Sequence, residues 1–307
     1  MADTGLRQRS GPARPTELGA EREQSVKASA QTSGWSHQVT RLKRRLTLVR
    51  LTENDHFNLV LTWAIFVVAV SFAAENWSNT AYGRFGGNAY IAVNPRLGWF
   101  LLEFPVTCTF VYFFFVKGGS QSKEAVPRFM ACIMLLHYAY RNFAFPYLIR
   151  VHGESKNFSL VPALGGVLVT VTHGYLNAKW FAEYGRHLNQ RWLRDPRFWI
   201  GLLVYLSGLA MIIWHDKIVR DLRADPNAPR YQIPHGGFFE YVTCAQYFVE
   251  LWAFAGFAIL SWGPNGAFVL AVSMANLVPR APAITAWYEE KFGDAYPDRN
   301  HIFPGIY

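Results

Sequence analysis

The apolar residues of this chain are gathered into runs long enough to cross a lipid bilayer. A membrane-spanning helix needs about 17–25 mostly apolar residues. Seven runs approach that length: Phe57–Ala74, Trp99–Val116, Phe129–Ile149, Phe158–Phe181, Phe198–Ile213, Thr243–Trp262 and Ala267–Trp287. Backbone amides cannot stay unpaired in hydrocarbon, so such runs indicate helices rather than strands. The sequence therefore predicts an all-α, polytopic membrane protein with about seven transmembrane helices in one bundle.

The composition agrees with a membrane protein. Hydrophobic residues make up 51% of the 307 residues and charged residues only 17%, whereas a soluble domain usually carries about a quarter charged residues. The first run is the most uniformly apolar, and the last is interrupted by Pro279, Arg280 and Pro282. Residues 57–307 are accordingly predicted to form one seven-helix membrane domain.

The first 56 residues are predicted to be a basic N-terminal arm. Residues 1–36 are rich in small and polar residues and cannot bury enough apolar surface to fold, so they are predicted to be disordered. Residues 1–50 hold ten Lys and Arg against four Asp and Glu, in a chain whose net charge is +9. The basic cluster 41–45 is equally compatible with two interpretations. It contacts anionic membrane lipids, or it belongs to a solvated tail. No nucleic-acid partner is predicted, because basic and aromatic residues do not alternate.

The cysteines and the N-terminus exclude further classes. Cys108, Cys132 and Cys244 lie in three different apolar runs without a paired spacing, so neither a disulfide framework nor a metal site is predicted. The first 50 residues lack the apolar segment of a cleavable signal peptide, so none is expected.

Polar side chains inside the apolar runs are the candidates for chemistry, because a charge at the bilayer centre costs at least about 2.5–3.5 kcal/mol. Glu103 lies near the start of the second run, and a desolvated carboxyl there is predicted to donate a hydrogen bond, unless it reaches interfacial water. Tyr138 and Arg141 share one helix face in the third run. A buried Arg needs a carboxylate or a ligand phosphate, and a Tyr hydroxyl can polarise a carbonyl. The alternative is an Arg paired locally at a helix end.

A second polar group lies at the end of the fifth run. Asp216, Arg220 and Arg223 occupy one stripe of a helix, which suits either a solvated helix end or a pocket for a dinucleotide phosphate. The segment that follows, from Arg230 through Tyr231 to the glycine pair at 236–237, lets the backbone approach a ligand closely. No Gly-x-Gly-x-x-Gly follows a strand, so no Rossmann domain is predicted.

The last polar group belongs to the sixth and seventh runs. Gln246 and Glu250 lie one turn apart in an apolar stretch, and Arg280 and Tyr288 lie near the last run. These residues are predicted to face a cavity inside the protein, the alternative being a buried structural network.

Four segments of the chain carry a resemblance to a known family. They are Asn94-Pro-Arg-Leu-Gly-Trp-Phe-Leu-Leu-Glu-Phe-Pro105, His137-Tyr-Ala-Tyr-Arg-Asn142, Tyr231-Gln-Ile-Pro-His-Gly-Gly-Phe-Phe-Glu-Tyr-Val242 and Trp287-Tyr-Glu-Glu-Lys-Phe-Gly-Asp-Ala-Tyr-Pro297. In order and at similar spacings, these segments resemble the steroid 5α-reductase family over roughly residues 82–307.

The resemblance implies a seven-helix bundle of the endoplasmic reticulum membrane whose NADPH pocket opens to the cytosol. Members reduce the 4,5 double bond of 3-oxo-Δ4 steroids, so the implied substrate is a steroid or another lipid-like enone. Glu103 and Tyr138 are implied to hold the 3-keto oxygen. The residues implied to bind NADPH are Arg141, Asp216, Arg220, Arg223, Tyr231, Gln246, Glu250 and Tyr288.

Several positions depart from the family pattern and leave other readings open. Leu102 stands where animal members have Gln, Ile212 and Gln246 replace Asn residues, and residues 282–285 replace a His-rich stretch. The open alternatives are reduction of a trans-2-enoyl-CoA or of a polyprenol, and a non-catalytic lipid-binding member. A membrane methyltransferase of the isoprenylcysteine type is more distant, because its Arg-His-Pro motif is not matched.

Two signals conflict about the orientation in the membrane. The basic arm favours a cytoplasmic N-terminus by the positive-inside rule, whereas the family topology implies a lumenal one. We adopt the family topology, in which the sequons at Asn76 and Asn157 face the cytosol and stay unmodified.

Overall fold

The computed structural model of the chain describes residues 38–77, 91–151, 158–225, 227–229 and 231–307. Several predictions from the sequence fall outside these residues. They are the disorder of residues 1–36, Arg230, and parts of both sequons.

Helices dominate the described residues. In chain order they are α1 (Asp55–Trp77), α2 (Pro95–Val111), α3 (Ala125–Ala139), α4 (Phe145–Leu148), α5 (Leu160–Lys179), α6 (Pro196–Asp221), α7 (Ala245–Ser261) and α8 (Pro264–Phe292). The small sheet is one antiparallel pair, β1 (Ala92–Val93) and β2 (Phe158–Ser159), with Ala92 opposite Ser159. The predicted all-α class is confirmed.

Four helices in the described part of the chain are long and apolar enough to cross a membrane: Asp55–Trp77, Pro95–Val116, Pro196–Asp221 and Pro264–Ala295. Helix α7 is apolar but shorter. The remaining two predicted runs fall on α3–α4 and on α5. A membrane protein is therefore supported, and the count of seven spans stays a prediction.

Three π-helical segments extend helices in the described residues. Tyr112–Val116 follows α2, Tyr140–Ala144 joins α3 to α4, and Trp180–Tyr184 follows α5. Single π-helical turns are rare and frequently occur at functional sites. The second of them contains Arg141, and helix resumes after it.

The chain divides into two compact units, Met1–Leu59 and Val60–Tyr307. In the first unit, the described part includes a helical segment over residues 38–46 and an ion pair of 3.3 Å between Arg44 and Asp55. The predicted boundary between an arm and a membrane domain at residue 56 stays a prediction.

In the second unit, α6 and α7 approach each other closely through glycine. A Cβ atom placed on Gly208 of α6 would lie 2.6 Å from the Cα of Ala253 on α7. Small residues at such a contact let two membrane helices pack backbone to backbone. The close contact brings Asp216 near the end of α6 to the face of α7 that carries Gln246.

Helices α2 and α5 form a second close pair. A Cβ atom on Gly174 of α5 would lie 2.5 Å from the carbonyl oxygen of Val106 on α2. The Thr170 hydroxyl donates to the carbonyl of Leu102 at 3.1 Å. This packing fixes the part of α2 that carries Glu103.

The segment between α6 and α7 is held by residues that follow α8. The backbone N–H of Thr243 donates to Asn300 at 2.9 Å, and Arg299 Nη1 donates to the carbonyl of Pro234 at 3.0 Å. Gly236 and Gly237 have φ angles of 95° and 57°, which glycine adopts at little cost. The predicted ligand-approaching loop thus has a defined conformation.

Candidate active site

One cavity of about 760 Å³ lies inside the second unit, between Val60 and Tyr307. Its wall combines apolar side chains from α1, α2 and α5 with charged and aromatic side chains from the later helices. Nine of the ten site residues predicted from the sequence line it: Glu103, Arg141, Asp216, Arg220, Arg223, Tyr231, Gln246, Glu250 and Tyr288. Residues that are far apart in the sequence therefore meet in one place.

Glu103 and Arg141 form an ion pair in the cavity wall. Arg141 Nη2 donates to Glu103 Oε1 at 2.7 Å, and both side chains are largely buried. The guanidinium also lies over the rings of Trp99 and Phe145, at 5.4 and 5.0 Å from their centroids. Arg141 is thus held by a carboxylate and two aromatic faces. The sequence predicts that Glu103 donates a hydrogen bond, whereas in this structure its Oε1 accepts one from Arg141.

Tyr138 is the predicted site residue that the structure does not place on the cavity surface. It is 6% exposed, and its hydroxyl lies 2.9 Å from Nδ1 of His173 on α5. Tyr138 precedes Arg141 by three residues along the helical stretch, so the two residues lie on the same side of it. His173 was not predicted as a site residue, although it is a polar residue in an apolar run, the same signal that indicated Glu103.

Asp216 is held between the π-helical turn Tyr140–Ala144 and α7. Its two carboxylate oxygens accept hydrogen bonds from the Tyr140 hydroxyl, at 2.9 Å, and from Gln246 Nε2, at 2.5 Å. Asp216 is only 7% exposed, and buried carboxylates are normally bonded in this way. Tyr140 was not predicted as a site residue. It lies in a π-helical turn that directs its side chain to Asp216, and the spacing of apolar residues gives no signal of such a turn.

A basic and aromatic group lies further along the same cavity. Arg220 and Arg223 line it from the C-terminal end of α6, and Arg223 Nη1 donates to the carbonyl of Arg150 at 3.4 Å. The ring of Tyr231 packs edge-on against Trp287 at 4.9 Å. Arginine guanidinium groups bind phosphates, and aromatic side chains stack on planar rings.

A third charged cluster lines the cavity from α1 and α8. Arg280 Nη1 lies 3.6 Å from Glu75 Oε2, and Asn276 Nδ2 lies 3.5 Å from Glu75 Oε1. Arg280 was predicted to face a cavity, and it does. Glu75 was missed, because it lies at the polar end of the first apolar run, where a solvated acid is common.

Several known proteins are similar to this chain over most of its length. The profile of the family described as 3-oxo-5-alpha-steroid 4-dehydrogenase matches residues 156–307. The 3-oxo-5-alpha-steroid 4-dehydrogenase 1 of Rattus norvegicus is 31% identical over 84% of this chain and 98% of its own length. The human enzyme of that name is 30% identical over 77% of this chain and 90% of its own. The steroid 5-alpha-reductase DET2 of Solanum lycopersicum is 26% identical over 83% of this chain and 99% of its own.

The chain belongs to the 3-oxo-5-alpha-steroid 4-dehydrogenase family. The resemblance inferred from four short segments is thereby confirmed. So is the predicted class of enzyme, an oxidoreductase that acts on a carbon–carbon bond. A methyltransferase does not fit this membership.

The departures from the family pattern lie in the cavity itself. Leu102 and Ile212 both line it, on α2 and α6. Gln246 keeps a hydrogen bond to Asp216 through its longer side chain. The family member described here thus has a more apolar wall beside Glu103 than the pattern predicts.

The loop at the glycine pair holds the carboxylate of Glu240, which lies outside the membrane-spanning helices. The N–H of Gly236 donates to Glu240 Oε1 at 2.5 Å, and this bond holds the pKa of the Glu240 carboxyl below its usual value. His235 and Arg299 lie 3.6 and 4.0 Å from the same carboxylate. Among the described residues, no group of three or more His, Cys, Asp or Glu side chains is arranged to hold a metal ion.

Proposed function

We propose that this enzyme uses NADPH to reduce the 4,5 double bond of a 3-oxo-Δ4 steroid. The observation that carries the proposal is the meeting of nine predicted site residues on one cavity, whose lining includes both apolar side chains and a set of arginines. The names of its relatives indicate the reaction: they are a steroid 5-alpha-reductase and 3-oxo-5-alpha-steroid 4-dehydrogenases. The proposed location is the endoplasmic reticulum membrane, with the cofactor site toward the cytosol.

The cationic part of the cavity fits a dinucleotide cofactor. Arg141, Arg220 and Arg223 line it together, and arginine binds phosphate oxygens with two parallel hydrogen bonds. Such a set of cations favours the binding of NADPH, which carries an additional phosphate, over that of NADH. Asp216, fixed by Tyr140 and Gln246, offers carboxylate oxygens to ribose hydroxyls. NADPH supplies the hydride when it is bound.

The apolar part of the cavity fits a steroid. Trp63, Phe66 and Val70 of α1 line it together with Leu102 of α2. A rigid hydrocarbon of steroid size gains mainly from burial of apolar surface, about 25 cal/mol per Å². Glu103 is the polar group beside this wall, where a keto oxygen needs a donor.

The Glu103–Arg141 pair links the two parts of the cavity. A cofactor phosphate that engages Arg141 would release the Glu103 carboxyl from this ion pair, so that it can turn to the substrate. Protonated Glu103 and the Tyr138 hydroxyl donate to the keto oxygen as negative charge develops on it. Tyr138 reaches that oxygen when the bound substrate opens the wall between it and the cavity. Such donors are worth several kcal/mol in a transition state, and protonation of the α-carbon completes the reduction.

The test is NADPH oxidation by the detergent-purified enzyme with progesterone, with identification of the product. Wild-type turnover to the 5α-dihydro product is expected, with kcat about 100-fold lower in Tyr138→Phe and in Glu103→Leu. Glu124→Gln, a change at an exposed carboxylate, is the matched control and is expected to turn over normally.

Three results would contradict the proposal in different ways. If NADPH binds but no steroid is reduced, the substrate is wrong, and trans-2-enoyl-CoA and polyprenol substrates are tested next. If NADH serves as well as NADPH, the role of the three arginines is wrong. If neither cofactor binds, the proposed function fails as a whole.

A further inference from the structure

His173 contacts the Tyr138 hydroxyl from a helix that contributes no residue to the predicted catalytic set. Its Nδ1 lies 2.9 Å from the phenolic oxygen, and its ring packs edge-on against that of Tyr138, with centroids 5.5 Å apart. The residue is 7% exposed, in the interior of α5. Burying a polar ring in a membrane helix costs free energy, and such residues mark functional positions.

The direction of this hydrogen bond decides what Tyr138 can do. A phenol has one proton, so a Tyr138 that donates to His173 has none left for a substrate carbonyl. If His173 carries its proton on Nδ1, the imidazole donates instead. The phenolic O–H then stays available, and the bond to its oxygen makes that proton easier to share as charge develops. Only this tautomer is compatible with the proposed reaction.

The surroundings hold His173 in place. Its backbone carbonyl accepts a hydrogen bond from Asn177 Nδ2 at 2.9 Å, and the oxygen of Asn177 accepts one from Asn265 Nδ2 at 2.8 Å. Gly174, the next residue, lies against the backbone of Val106 on α2, the helix that carries Glu103. The imidazole thus belongs to the rigid α2–α5 pair rather than to the helix of Tyr138.

We propose that His173 is a positioning residue for Tyr138, donating from Nδ1 to the phenolic oxygen so that the hydroxyl proton points to the keto oxygen of the substrate. The inference rests on the proposed function, since it assigns a role within the same reaction. It adds a residue on α5 to a site otherwise formed by α2 and α3.

The test compares two substitutions at one position. His173→Phe keeps the ring and removes the donor, and it is expected to lower kcat for progesterone about 10-fold or more while KM changes less than about 3-fold. His173→Asn places an amide nitrogen near the position of Nδ1, and it is expected to recover most of that loss. Both variants should bind NADPH as the wild type does, measured by quenching of protein fluorescence.

A double-substitution cycle separates positioning from a structural role. In the Tyr138→Phe enzyme, adding His173→Phe is expected to have little further effect, because the hydroxyl on which His173 acts is already gone. Trp192→Phe is the matched control: it also keeps a ring and removes a buried donor, the Nε1 that bonds to the carbonyl of Leu260, but it lies outside the cavity lining and the surroundings of His173. It is expected to lower thermal stability without the selective loss of kcat.

Two results would overturn the proposal while leaving the proposed function intact. One is a wild type that reduces progesterone beside a His173→Phe enzyme with unchanged kcat. The other is a full additional loss on the Tyr138→Phe background. If His173→Phe does not fold, the comparison of His173→Asn with His173→Gln decides: Gln carries its amide at the Nε2 position and should fail where Asn succeeds. A wild type without steroid reduction would instead count against the proposed function.

Discussion

Glu103 and Arg141 lie 2.7 Å apart although 38 residues separate them in the chain. The second residue of this pair belongs to a π-helical turn, and its guanidinium lies over two aromatic rings that belong to α2 and α4. In the proposed reaction, Glu103 serves the substrate and Arg141 serves the cofactor. Their contact therefore joins the two halves of the site.

Arg141→Lys is expected to weaken NADPH binding about 10-fold or more. Lysine keeps the charge but lacks the planar fork that spans a carboxylate or phosphate and stacks on rings. Titration of the cofactor against protein fluorescence measures the effect. Arg128→Lys, at an exposed arginine on α3, is the matched control. Equal affinities in the two variants would remove Arg141 from the cofactor site.

Gln246→Leu is expected to lower the thermal midpoint by a few degrees, about 3–6 °C, because it takes one hydrogen bond from the buried carboxylate of Asp216. Thermal unfolding in detergent, followed by tryptophan fluorescence, measures the shift. Gln190→Leu makes the same change at an exposed position and is expected to have little effect. A similar shift in both variants would show that the bond to Asp216 contributes nothing.

Gly208→Val is expected to prevent close packing of α6 against α7. A Cβ atom at that position already meets the Cα of Ala253 at 2.6 Å, and overpacking of a tight contact costs about 1–3 kcal/mol or more. The readout is the monodisperse fraction in size-exclusion chromatography and its thermal midpoint. Gly165→Ala, where a Cβ would have no neighbour within 4 Å, is expected to be as stable as the wild type.

The loop at Gly236 is expected to lose stability in acid. Because its bond to the Gly236 N–H lowers the pKa of Glu240, this carboxylate stabilises the fold above its unfolded pKa. That contribution is lost as pH falls through the lowered folded pKa. The difference in thermal midpoint between wild type and Glu240→Gln should therefore be present at neutral pH and shrink below about pH 4.5. A difference that is flat down to acid pH would contradict the assignment.

The apolar runs predicted the fold class and the helices well, because burial in a bilayer demands long apolar segments. The number of spans could not be fixed in the same way. Helix α7 is apolar yet short, and the third run is broken into α3, a π-helical turn and α4. Length and composition do not distinguish a short buried helix from a short span.

The candidate site was predictable where a charge stood alone in an apolar run. Arg141 and Glu250 were found in this way, and both line the cavity. Tyr140 and His173 were missed, because their roles depend on partners supplied by other helices. The ion pair between Glu103 and Arg141 could not be predicted either, because the sequence shows which charged residues are present but not the distance between them.

The π-helical turn Tyr140–Ala144 holds one residue more than an α-helical turn would, and helix continues on both sides of it. Each residue of an α-helix turns the chain by about 100°. Removing a single residue here would restore a regular helix and rotate everything before the turn relative to everything after it. Tyr138 and Phe145 could then no longer face their present partners together. A one-residue deletion in this turn should thus be less tolerable than almost any substitution. Selection can therefore preserve the length of this turn independently of its amino-acid composition.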